Sequence, residues 1–578
     1  MRAFGGNSLS GWTRFSGEEP AIGEKDKSLA EARLAGPRIA DTFTGDAGAN
    51  TILGTSGDDF IDGKSGNDTL SGLGGDDDIR GGAGNDILNG GDGDDYLNGN
   101  IGNDTFRPGA GADEMDGGDG DDTLILTNGV GTSNNFNAGN GYDTVDASQL
   151  TASSGAWRFS GSGWERFIGS EQDEFVYGES DSEDYFMNGG DDWVYTSDGV
   201  DSFDGGSGID TLSFYLLELE QGVDINLNRG QINNDGYGNS ESVDDFENVI
   251  AISPWADTLI GDNLNNVFYA GSNDDIVRML GGDDLLVLQS AIRIADGGTG
   301  DNVVSFNQTF KLVLDGSDNM VEEARTTGVW VNLFANTIFD DGFGDSGFID
   351  NFTTLYGTIL DDNITGTDGD DTLYGNGGED IIRGRDGNDS IEGGGVIDKL
   401  QGNTGEDYIF GNNGDDIIRG GSGDDELVGG NDDDSIFGDG NEDILLGGYG
   451  DDILKGGNHN DVLTGGYGAD TLDGEGGADT YVYLAWGEST PTVRDTIVEF
   501  QSIDTIDLSA IDADTWTAGN QAFTFIGDAD FSGTAGELQV TQTPSRIYVM
   551  ADINGDGEAD IEIMIRDGVA PTADDFLL

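Results

Sequence analysis

The sequence predicts an all-β fold, a parallel β-roll or β-helix solenoid of nine-residue repeats followed by a C-terminal β module. Between Gly357 and Val482 the chain reads as 14 consecutive nine-residue units, such as GGSGDDELV. Every unit has Gly at position one and Asp at position six, and position eight is Ile or Leu until Tyr481 in the last unit. A repeat of fixed length with a constant apolar position indicates stacked coils that share one core.

Each nine-residue unit divides into a turn and a strand. Positions seven to nine suit a short strand with position eight facing inward, whereas the first six positions favour a turn because they are rich in Gly and Asp. Two units would then form one coil of eighteen residues, with a thin aliphatic core between two parallel sheets. If position four needs a positive φ, Asn, Asp and His are tolerable there, whereas Leu360 and Val396 mark doubtful turns.

The position-six aspartates predict a need for cations. Turns on the same edge would stack about 4.8 Å apart, and neighbouring carboxylates at that distance repel by roughly 1 kcal/mol even in water. A hard cation that takes carboxylate and carbonyl oxygens reverses this repulsion. A flexible Gly/Asp-rich linker is the alternative interpretation. The apolar residue at every ninth position argues against it.

A second regular block occupies residues 45–125. Its nine units carry Asn50 and then Asp at position six as far as Asp122, with apolar residues at position eight. Asn50 lacks the charge, so its turn is expected to act as a cap. The chain is therefore divided into a flexible N-terminal lead (1–44), a first β-roll (45–125), a degenerate middle region (126–356), a second β-roll (357–482) and a C-terminal module (483–578).

The repeat G-G-x-G-x-D-x-U-x resembles that of the RTX (haemolysin-type) calcium-binding proteins. The resemblance implies several Ca²⁺ ions, each shared by Asp side chains of one turn and the next turn on the same side, with turn carbonyls completing the shell. The predicted position-six ligands are Asp59, Asp68, Asp77, Asp86, Asp95, Asp104, Asp113, Asp122, Asp371, Asp380, Asp389, Asp407, Asp416, Asp425, Asp434, Asp443, Asp452, Asp461, Asp470 and Asp479.

The middle region contains a duplication. Residues 222–246, beginning GVDINLNRGQINNDGYGNS, match residues 328–352, beginning GVWVNLFANTIFDDGFGDS, 106 positions later. Both copies alternate apolar and polar residues and are expected to add longer strands to the same solenoid. Trp157, Trp164, Trp193, Trp255 and Trp330 fall in this region. We expect most of these tryptophans to be buried in the core; the alternative is that they lie on the surface and stack on sugar rings.

The C-terminal module closely resembles that of the serralysin-type secreted metalloproteases, through DTIDLSAID, FTFIGDADFSGTAGELQV and ADINGDGEADIEI. Within it, DINGDGEAD predicts a calcium loop with oxygens from Asp552, Asn554, Asp556 and Asp560. An EF-hand would place Glu where Ile563 stands, so this loop is expected to be a weaker, non-EF site, with a plain hairpin turn as the alternative. The chain ends DDFLL, which resembles the uncleaved C-terminal signal of type I (ABC transporter) secretion substrates.

Composition narrows the functional class. With 24 Lys and Arg against 114 Asp and Glu, the net charge is −90, which makes nucleic acid and anionic membranes poor partners. The chain has no Cys, and residues 1–40 lack the apolar stretch of a signal peptide. No run approaches the ~18 apolar residues of a membrane span. The expected localisation is secreted, extracellular or cell-surface, with export by a type I system.

Catalytic motifs are missing from the sequence. The single His, His459, excludes an H-E-x-x-H zinc site, and neither G-x-S-x-G nor a P-loop is present. The expected function is therefore a non-enzymatic calcium-binding protein with a structural, matrix or adhesive role, whose partner is a cell-surface or matrix polysaccharide. The alternative is a polysaccharide-active enzyme of the lyase or epimerase type, with its site in 140–350.

Overall fold

The structure is a computed structural model that describes residues 41–128, 134–151, 157–159, 162–214, 219–271, 274–290, 292–307, 310–314, 320–516 and 518–578. The chain forms two compact units, the first ending at Asp143 and the second beginning at Thr144. Most of the predicted N-terminal lead, residues 1–40, lies outside the described residues. The finer division into five segments stays a prediction.

The first unit consists of two parallel sheets whose strands alternate along the chain. One sheet contains, in order, Asp41–Thr44, Asp59–Ser65, Asp78–Ala83, Tyr96–Ile101, Glu114–Asp119 and Asn135–Asn140. The other contains Thr51–Leu53, Thr69–Gly74, Ile87–Asp92, Thr105–Ala110 and Thr123–Thr127. The alternation means that each coil contributes one strand to each sheet.

The second unit repeats this arrangement over a longer stretch. Its first sheet contains Trp157–Phe159, Glu174–Tyr177, Trp193–Tyr195, Thr211–Ser213, Asn248–Ala251, Val267–Ala270, Leu285–Leu288, Val303–Ser305, Thr354–Tyr356, Thr372–Tyr374, Ser390–Gly394, Tyr408–Asn413, Glu426–Asn431, Ile444–Tyr449, Val462–Tyr467, Thr480–Val482, Thr505–Asp507 and Phe576–Leu577.

The opposite sheet of the second unit has a different spatial order, because each duplicated segment reverses the order of its three strands. It contains Thr144–Gln149, Arg166–Ile168, Asp184–Phe186, Ser202–Asp204, Glu241–Asp244, Gln231–Asn234, Asp224–Asn226, Thr258–Ile260, Ile276–Arg278, Ile294–Asp296, Gly347–Asp350, Thr337–Asp340, Trp330–Asn332, Asn363–Thr365, Ile381–Asp386, Lys399–Thr404, Ile417–Ser422, Ser435–Gly440, Ile453–Asn458, Thr471–Gly476, Thr496–Val498, Ile561–Arg566, Ile547–Asp552, Glu537–Gln542 and Thr524–Gly527.

One hairpin and two short helical turns complete the described fold. Strands Phe310–Leu314 and Met320–Ala324 pair as a separate antiparallel hairpin. The helices among the described residues are two short 3₁₀ turns, Leu227–Arg229 and Ala573–Asp575. The predicted all-β, parallel β-solenoid class is confirmed.

The register confirms a coil of eighteen residues in the regular repeats. Leu427 is the sheet partner of Leu445, which in turn pairs with Leu463. All three position-eight side chains are fully buried, so the aliphatic residues form a continuous stack between the two sheets. Burying each such side chain contributes about 1.5–3 kcal/mol.

The strands of the regular repeats are longer than predicted. They run for six residues, as in Ile417–Ser422, rather than over the three residues of positions seven to nine. In this strand the buried residues are Ile418 at position eight and Gly420 at position one. The pairing continues into the glycine positions because the adjacent coils keep the same backbone path, as in the pairing of Gly421 with Asp439.

Both copies of the duplication join the same sheet of the second unit, as expected. In the first copy the central strand, Gln231–Asn234, is antiparallel to both of its neighbours. The second copy repeats this with Thr337–Asp340. The expectation of longer strands is wrong, because these strands have three or four residues. Each copy is a compact three-stranded insert that lets the parallel stack resume after it.

Candidate metal centre

The position-six aspartates form hydrogen-bonded series between successive coils of each unit. The N–H of Asp434 donates to Asp452 Oδ1 at 2.8 Å, and the N–H of Asp452 donates to Asp470 Oδ1 at 2.9 Å. In the first unit the N–H of Asp68 donates to Asp86 Oδ1 at 2.7 Å. All predicted position-six ligands are buried in this way. Apart from Asp59 and Asp371, each of these carboxylates thus has one oxygen engaged by the N–H of a neighbouring coil.

The second carboxylate oxygen, Oδ2, is buried and accepts no hydrogen bond in most of the series. In the first unit this holds for Asp68, Asp77, Asp86, Asp95, Asp104 and Asp122. In the regular repeats of the second unit it holds for Asp380, Asp389, Asp398, Asp407, Asp416, Asp425, Asp434, Asp443, Asp452, Asp461, Asp470 and Asp479. A buried carboxylate oxygen without a donor requires a cation or a proton to be tolerated.

The space beside each Oδ2 explains why position one is glycine. A Cβ added to Gly63 would lie 2.5 Å from Asp68 Oδ2 and 2.7 Å from the carbonyl oxygen of Gly81 in the next coil. The same two kinds of oxygen surround Gly447, namely Asp452 Oδ2 and the Gly465 carbonyl. The glycine leaves an oxygen-lined space that a side chain would fill. Carboxylate and main-chain carbonyl oxygens are the donors that Ca²⁺ prefers.

Main-chain oxygens are a necessary part of these sites. Among the described residues, no group of three His, Cys, Asp or Glu side chains is placed to hold a metal ion alone. The residues of one turn and of the next turn on the same side do fit a calcium ion, through the Asp carboxylates together with the glycine carbonyls. The role of each named aspartate as a ligand stays a prediction.

Burial disfavours the charged form of these carboxylates when no cation is present. It raises the pKa of Asp95 and of Asp122 to about 8. In the second unit it raises the pKa of Asp380, Asp434 and Asp443 to about 8 as well. The neighbouring aspartates add to the effect through like-charge repulsion. Protons and calcium should therefore compete for the same oxygens.

Some position-six residues at the start of the regular blocks are capped by the protein itself. Asp59 Oδ2 accepts hydrogen bonds from the Thr55 N–H at 2.6 Å and the Thr55 hydroxyl at 3.0 Å. Asp371 Oδ2 accepts the same two bonds from Thr367. Both aspartates are predicted ligands, yet neither has an oxygen without a donor. Asn50 Oδ1 likewise accepts the N–H of Asp46 within its own turn, and its expected role as a cap stays a prediction.

The two coils predicted to be doubtful differ from each other. Asp362, in the unit of Leu360, has both oxygens occupied by N–H groups of Thr358 and Val329. Asp398, in the unit of Val396, has the same buried, unbonded Oδ2 as the regular coils. The hydrogen bonds of Asp362 therefore agree with a turn that is poorly suited to bind an ion. Asp398 is placed for ion binding in the same way as the aspartates of the neighbouring coils.

Position four adopts the predicted left-handed conformation where Asp, Asn or His occupies it. The φ angles are 76° for Asp432, 83° for Asn441 and 80° for His459. Leu360 and Val396 are not among the residues with positive φ. This agrees with the expectation from the steric limits of apolar and β-branched residues. His459 is exposed in its turn, in agreement with a tolerated turn residue rather than a catalytic base.

Sequence reasoning missed the residues that continue the series past the regular repeats. The N–H of Asp470 donates to Asp495 Oδ1 at 3.0 Å, and the N–H of Asp479 donates to Asp504 Oδ1 at 3.2 Å. In the first unit the N–H of Asp122 donates to Asp143 Oδ1 at 2.6 Å. A usable signal existed, because each of these aspartates is followed two positions later by Ile or Val, which keeps the apolar residue that follows Asp at the same distance in the regular units.

The C-terminal loop satisfies its own carboxylates. Asp552 accepts hydrogen bonds from the N–H groups of Gly555 at 2.6 Å and Gly557 at 2.8 Å. Asp560 accepts one from the Asn554 side-chain amide at 2.9 Å, and Asp556 accepts one from the Glu558 N–H at 2.9 Å. These three carboxylates thus accept hydrogen bonds from within the loop. Its metal binding stays a prediction.

The tryptophans of the middle region occupy both kinds of position. Trp164 is fully buried, and Trp193 is half-buried against the Phe175 ring at 5.8 Å between centroids. Trp255 and Trp330 are exposed. The side chain of Trp157 lies outside the described residues. The expectation of core positions therefore holds for Trp164 but not for the two exposed residues.

The stacked coils and their rows of buried carboxylates define a metal-binding β-solenoid. The family model of the RTX calcium-binding nonapeptide repeat matches residues 40–70, 71–106, 109–132, 188–212, 256–286, 356–391, 392–427, 419–454 and 446–481. These parts of the chain therefore carry RTX calcium-binding nonapeptide repeats, and their number implies several Ca²⁺ ions.

Individual relatives add little to this family assignment. No curated protein matches the chain. Among solved structures, a subunit of the mannuronan C5-epimerase of Azotobacter vinelandii is 22% identical over 32% of this chain and 80% of its own, with a TM-score of 0.16. An extracellular lipase from Serratia marcescens is 13% identical over 76% of this chain and 45% of its own, with a TM-score of 0.17. Neither likeness bears on function here.

One further finding concerns membranes. Within the described ranges, no helix is long and apolar enough to cross a bilayer.

Proposed function

We propose that this RTX protein is exported unfolded, folds when it binds calcium outside the cell, and then serves as a structural, matrix or adhesive surface protein. The observation that carries the proposal is the series of buried Asp Oδ2 atoms without hydrogen-bond donors. The folded chain places them in oxygen-lined spaces, and the repeat belongs to a calcium-binding family.

The energetics favour a fold that depends on calcium. Each buried polar atom without a partner costs roughly 1–3 kcal/mol. The regular repeats of the second unit hold twelve such Oδ2 atoms, so their total cost of about 12–36 kcal/mol is as large as or larger than the ~5–15 kcal/mol that separates folded from unfolded domains. Calcium binding removes this cost because the ion supplies the missing partner, and its binding free energy then becomes folding free energy.

The high glycine content also disfavours the folded state when calcium is absent. The chain has 100 Gly, and Gly loses more backbone freedom on folding than other residues. Where free calcium is scarce, as in the cytosol, carboxylate repulsion and this entropy keep the chain unfolded and able to pass a transporter. Calcium outside the cell then folds it, which discourages movement back through the channel.

The position of the C-terminal residues is compatible with export before folding. Phe576 is buried, and the strand Phe576–Leu577 pairs with Thr505–Asp507. In the folded protein these residues belong to the sheet, so a transporter would read them as a signal in the unfolded chain. Deleting the last five residues should abolish export from the producing cells while leaving expression unchanged. Equal export of the truncated chain would contradict a type I signal at this end.

The folding proposal is tested by circular dichroism of the full chain. The metal-free protein in EDTA should lack a β signal at pH 7.5, calcium should induce it cooperatively, and an equal concentration of magnesium should not, because Mg²⁺ keeps its water ligands. A β signal of equal size in EDTA and in calcium would refute calcium-coupled folding.

A further inference from the structure

A group of exposed aromatic side chains lies on the outer surface of the second duplicated segment. We call Trp330, Phe334, Phe339 and Phe348 the aromatic face. Their exposed fractions are 48%, 51%, 45% and 42%. Trp330, Phe339 and Phe348 lie on three adjacent strands, and Phe334 lies in the turn that joins the first two. Trp330 and Phe339 are in ring contact, and exposed aromatic side chains grouped on one segment are a feature of interaction sites.

The first duplicated segment shows that the fold does not require these aromatics. It has the same three-stranded topology, and its buried residues Ile225 and Ile232 correspond to the buried Val331 and Ile338. The outward positions differ. The residues equivalent to the four aromatics, 106 positions earlier, are Asp224, Asn228, Asn233 and Ser242.

One cross-strand pair shows how polar residues of the first segment are replaced by aromatic residues in the second. In the first segment the Asn233 side-chain amide donates to Asp224 Oδ1 at 3.1 Å. At the same place in the second segment, the rings of Trp330 and Phe339 lie 4.6 Å apart between centroids with an interplanar angle of 32°. The same hairpin therefore forms with a polar pair in one segment and an aromatic pair in the other, so its topology does not require the aromatic pair.

A cavity of about 320 Å³ adjoins the aromatic face at Phe334. Besides that ring, its lining includes the polar residues Asn336, Asp350, Asn351 and Thr367. Aromatic rings beside side-chain amide, hydroxyl and carboxylate groups match the two surfaces of a sugar ring. The C–H faces of a pyranose stack on the negative face of an aromatic ring, and the hydroxyls exchange hydrogen bonds with the polar groups.

The charges around the aromatic face favour a neutral ligand. Arg385 lies over the Phe334 ring, with Cζ 3.7 Å from the centroid, but it forms an ion pair with Asp368 at 2.8 Å. Its charge is thus already balanced, and the whole chain carries −90. A polyanion would be repelled at this surface.

We propose that the aromatic face and its cavity bind a neutral polysaccharide chain. This inference rests on the proposed matrix or adhesive function and identifies the surface through which that function is exerted. The ligand is a polymer rather than a single sugar, because the rings span three strands and the cavity extends from one end of them.

The test is affinity electrophoresis of the full chain, folded in saturating calcium, through gels that contain neutral polysaccharides (hydroxyethyl cellulose, amylose or galactomannan) or anionic alginate. The test variant is W330D/F334N/F339N/F348S, which installs the residues of the first segment. The control variant is Y449S/Y467S, which removes another exposed, stacked aromatic pair, 5.4 Å apart, from the regular repeats.

At least one neutral polysaccharide should retard the wild type and the control variant, and the fourfold variant should bind it at least about tenfold more weakly. Retardation by no neutral polysaccharide, stronger retardation by alginate, or equal binding by the fourfold variant would overturn the proposal. So would a concentration-dependent dimer that the fourfold variant abolishes without any glycan binding. Circular dichroism in calcium and EDTA is recorded on the same samples, so a failure of calcium-coupled folding is seen separately.

Discussion

The N–H of Asp434 donates to Asp452 Oδ1 at 2.8 Å, while Oδ2 of both residues is buried without a donor. One oxygen of each carboxylate thus holds the neighbouring coil, and the other faces an oxygen-lined space. The first oxygen accounts for the order of the stacked acidic coils, and the second is the one that we assign to a cation.

Replacing Asp434 by Asn should raise the calcium concentration needed for folding. The amide lacks the negative charge and places a poor cation ligand in the space, so stability at fixed calcium should fall by roughly 1–3 kcal/mol. A calcium titration followed by circular dichroism measures the shift. The control is Asp433→Asn, an exposed carboxylate at position five, which should shift the midpoint far less. Equal shifts would mean that bulk charge, not the buried oxygen, governs folding.

Replacing Gly447 by Ala should weaken calcium binding by filling the space beside Asp452 Oδ2 and the Gly465 carbonyl. The matched control is Gly440→Ala, because a Cβ there meets nothing closer than Gly421 O at 3.6 Å. We expect the first variant to need several-fold more calcium for half-folding, and the control to titrate like the wild type. An unchanged midpoint for Gly447→Ala would contradict the assignment of the space to the ion.

Asp371→Asn should affect the calcium midpoint less than Asp434→Asn. Thr367 already supplies two hydrogen bonds to Asp371 Oδ2, so this carboxylate depends less on an ion. Its replacement should instead lower the thermal midpoint of the calcium-saturated protein by a few degrees, through the lost hydrogen bond. The same titration and a thermal melt separate the two effects. A larger calcium shift for Asp371→Asn than for Asp434→Asn would show that capped turns are the stronger sites.

Lowering the pH should partly restore the folded state in the absence of calcium. Burial raises the pKa of Asp434 and Asp443 to about 8, above the ~3.9 of an unfolded Asp. Between these values the metal-free folded state binds more protons than the unfolded state, so its stability falls as pH rises from about 4 to 8. In EDTA, β structure should therefore increase on acidification from pH 8 to pH 5, whereas calcium affinity should decrease. Loss of β structure in EDTA over that range would contradict the raised pKa values.

The repeat made most of the fold predictable. Three positions of the repeat determine the coil. Gly at position one and Asp at position six, as in Gly420 and Asp425, define the turns at its edges, and the aliphatic residue at position eight, as in Leu427, forms its core. The strand length was underestimated, because glycine-rich positions have low strand propensity yet pair when coils of identical path are stacked. The strand propensity of single residues does not include this pairing between stacked coils.

The predicted site was incomplete where the spacing changes. Regular partners lie eighteen residues apart, but Asp470 pairs with Asp495 and Asp122 with Asp143 across inserted loops, which a fixed period does not follow. The capping by Thr55 and Thr367 was also missed, although both residues occupy position two, where a hydroxyl can reach the carboxylate. The aromatic face was not predicted, because the sequence alone does not decide whether the aromatic side chains of these strands point into the core or towards solvent.

The central claim is that calcium lies between Asp Oδ2 and the glycine carbonyl of the next coil. A crystal structure of the calcium-loaded chain, with anomalous scattering recorded to locate the ions, tests it most directly. The account predicts ions within about 2.3–2.6 Å of Asp434 Oδ2 and Asp452 Oδ2, repeated along the regular blocks. A folded chain with no ion at these oxygens would contradict it.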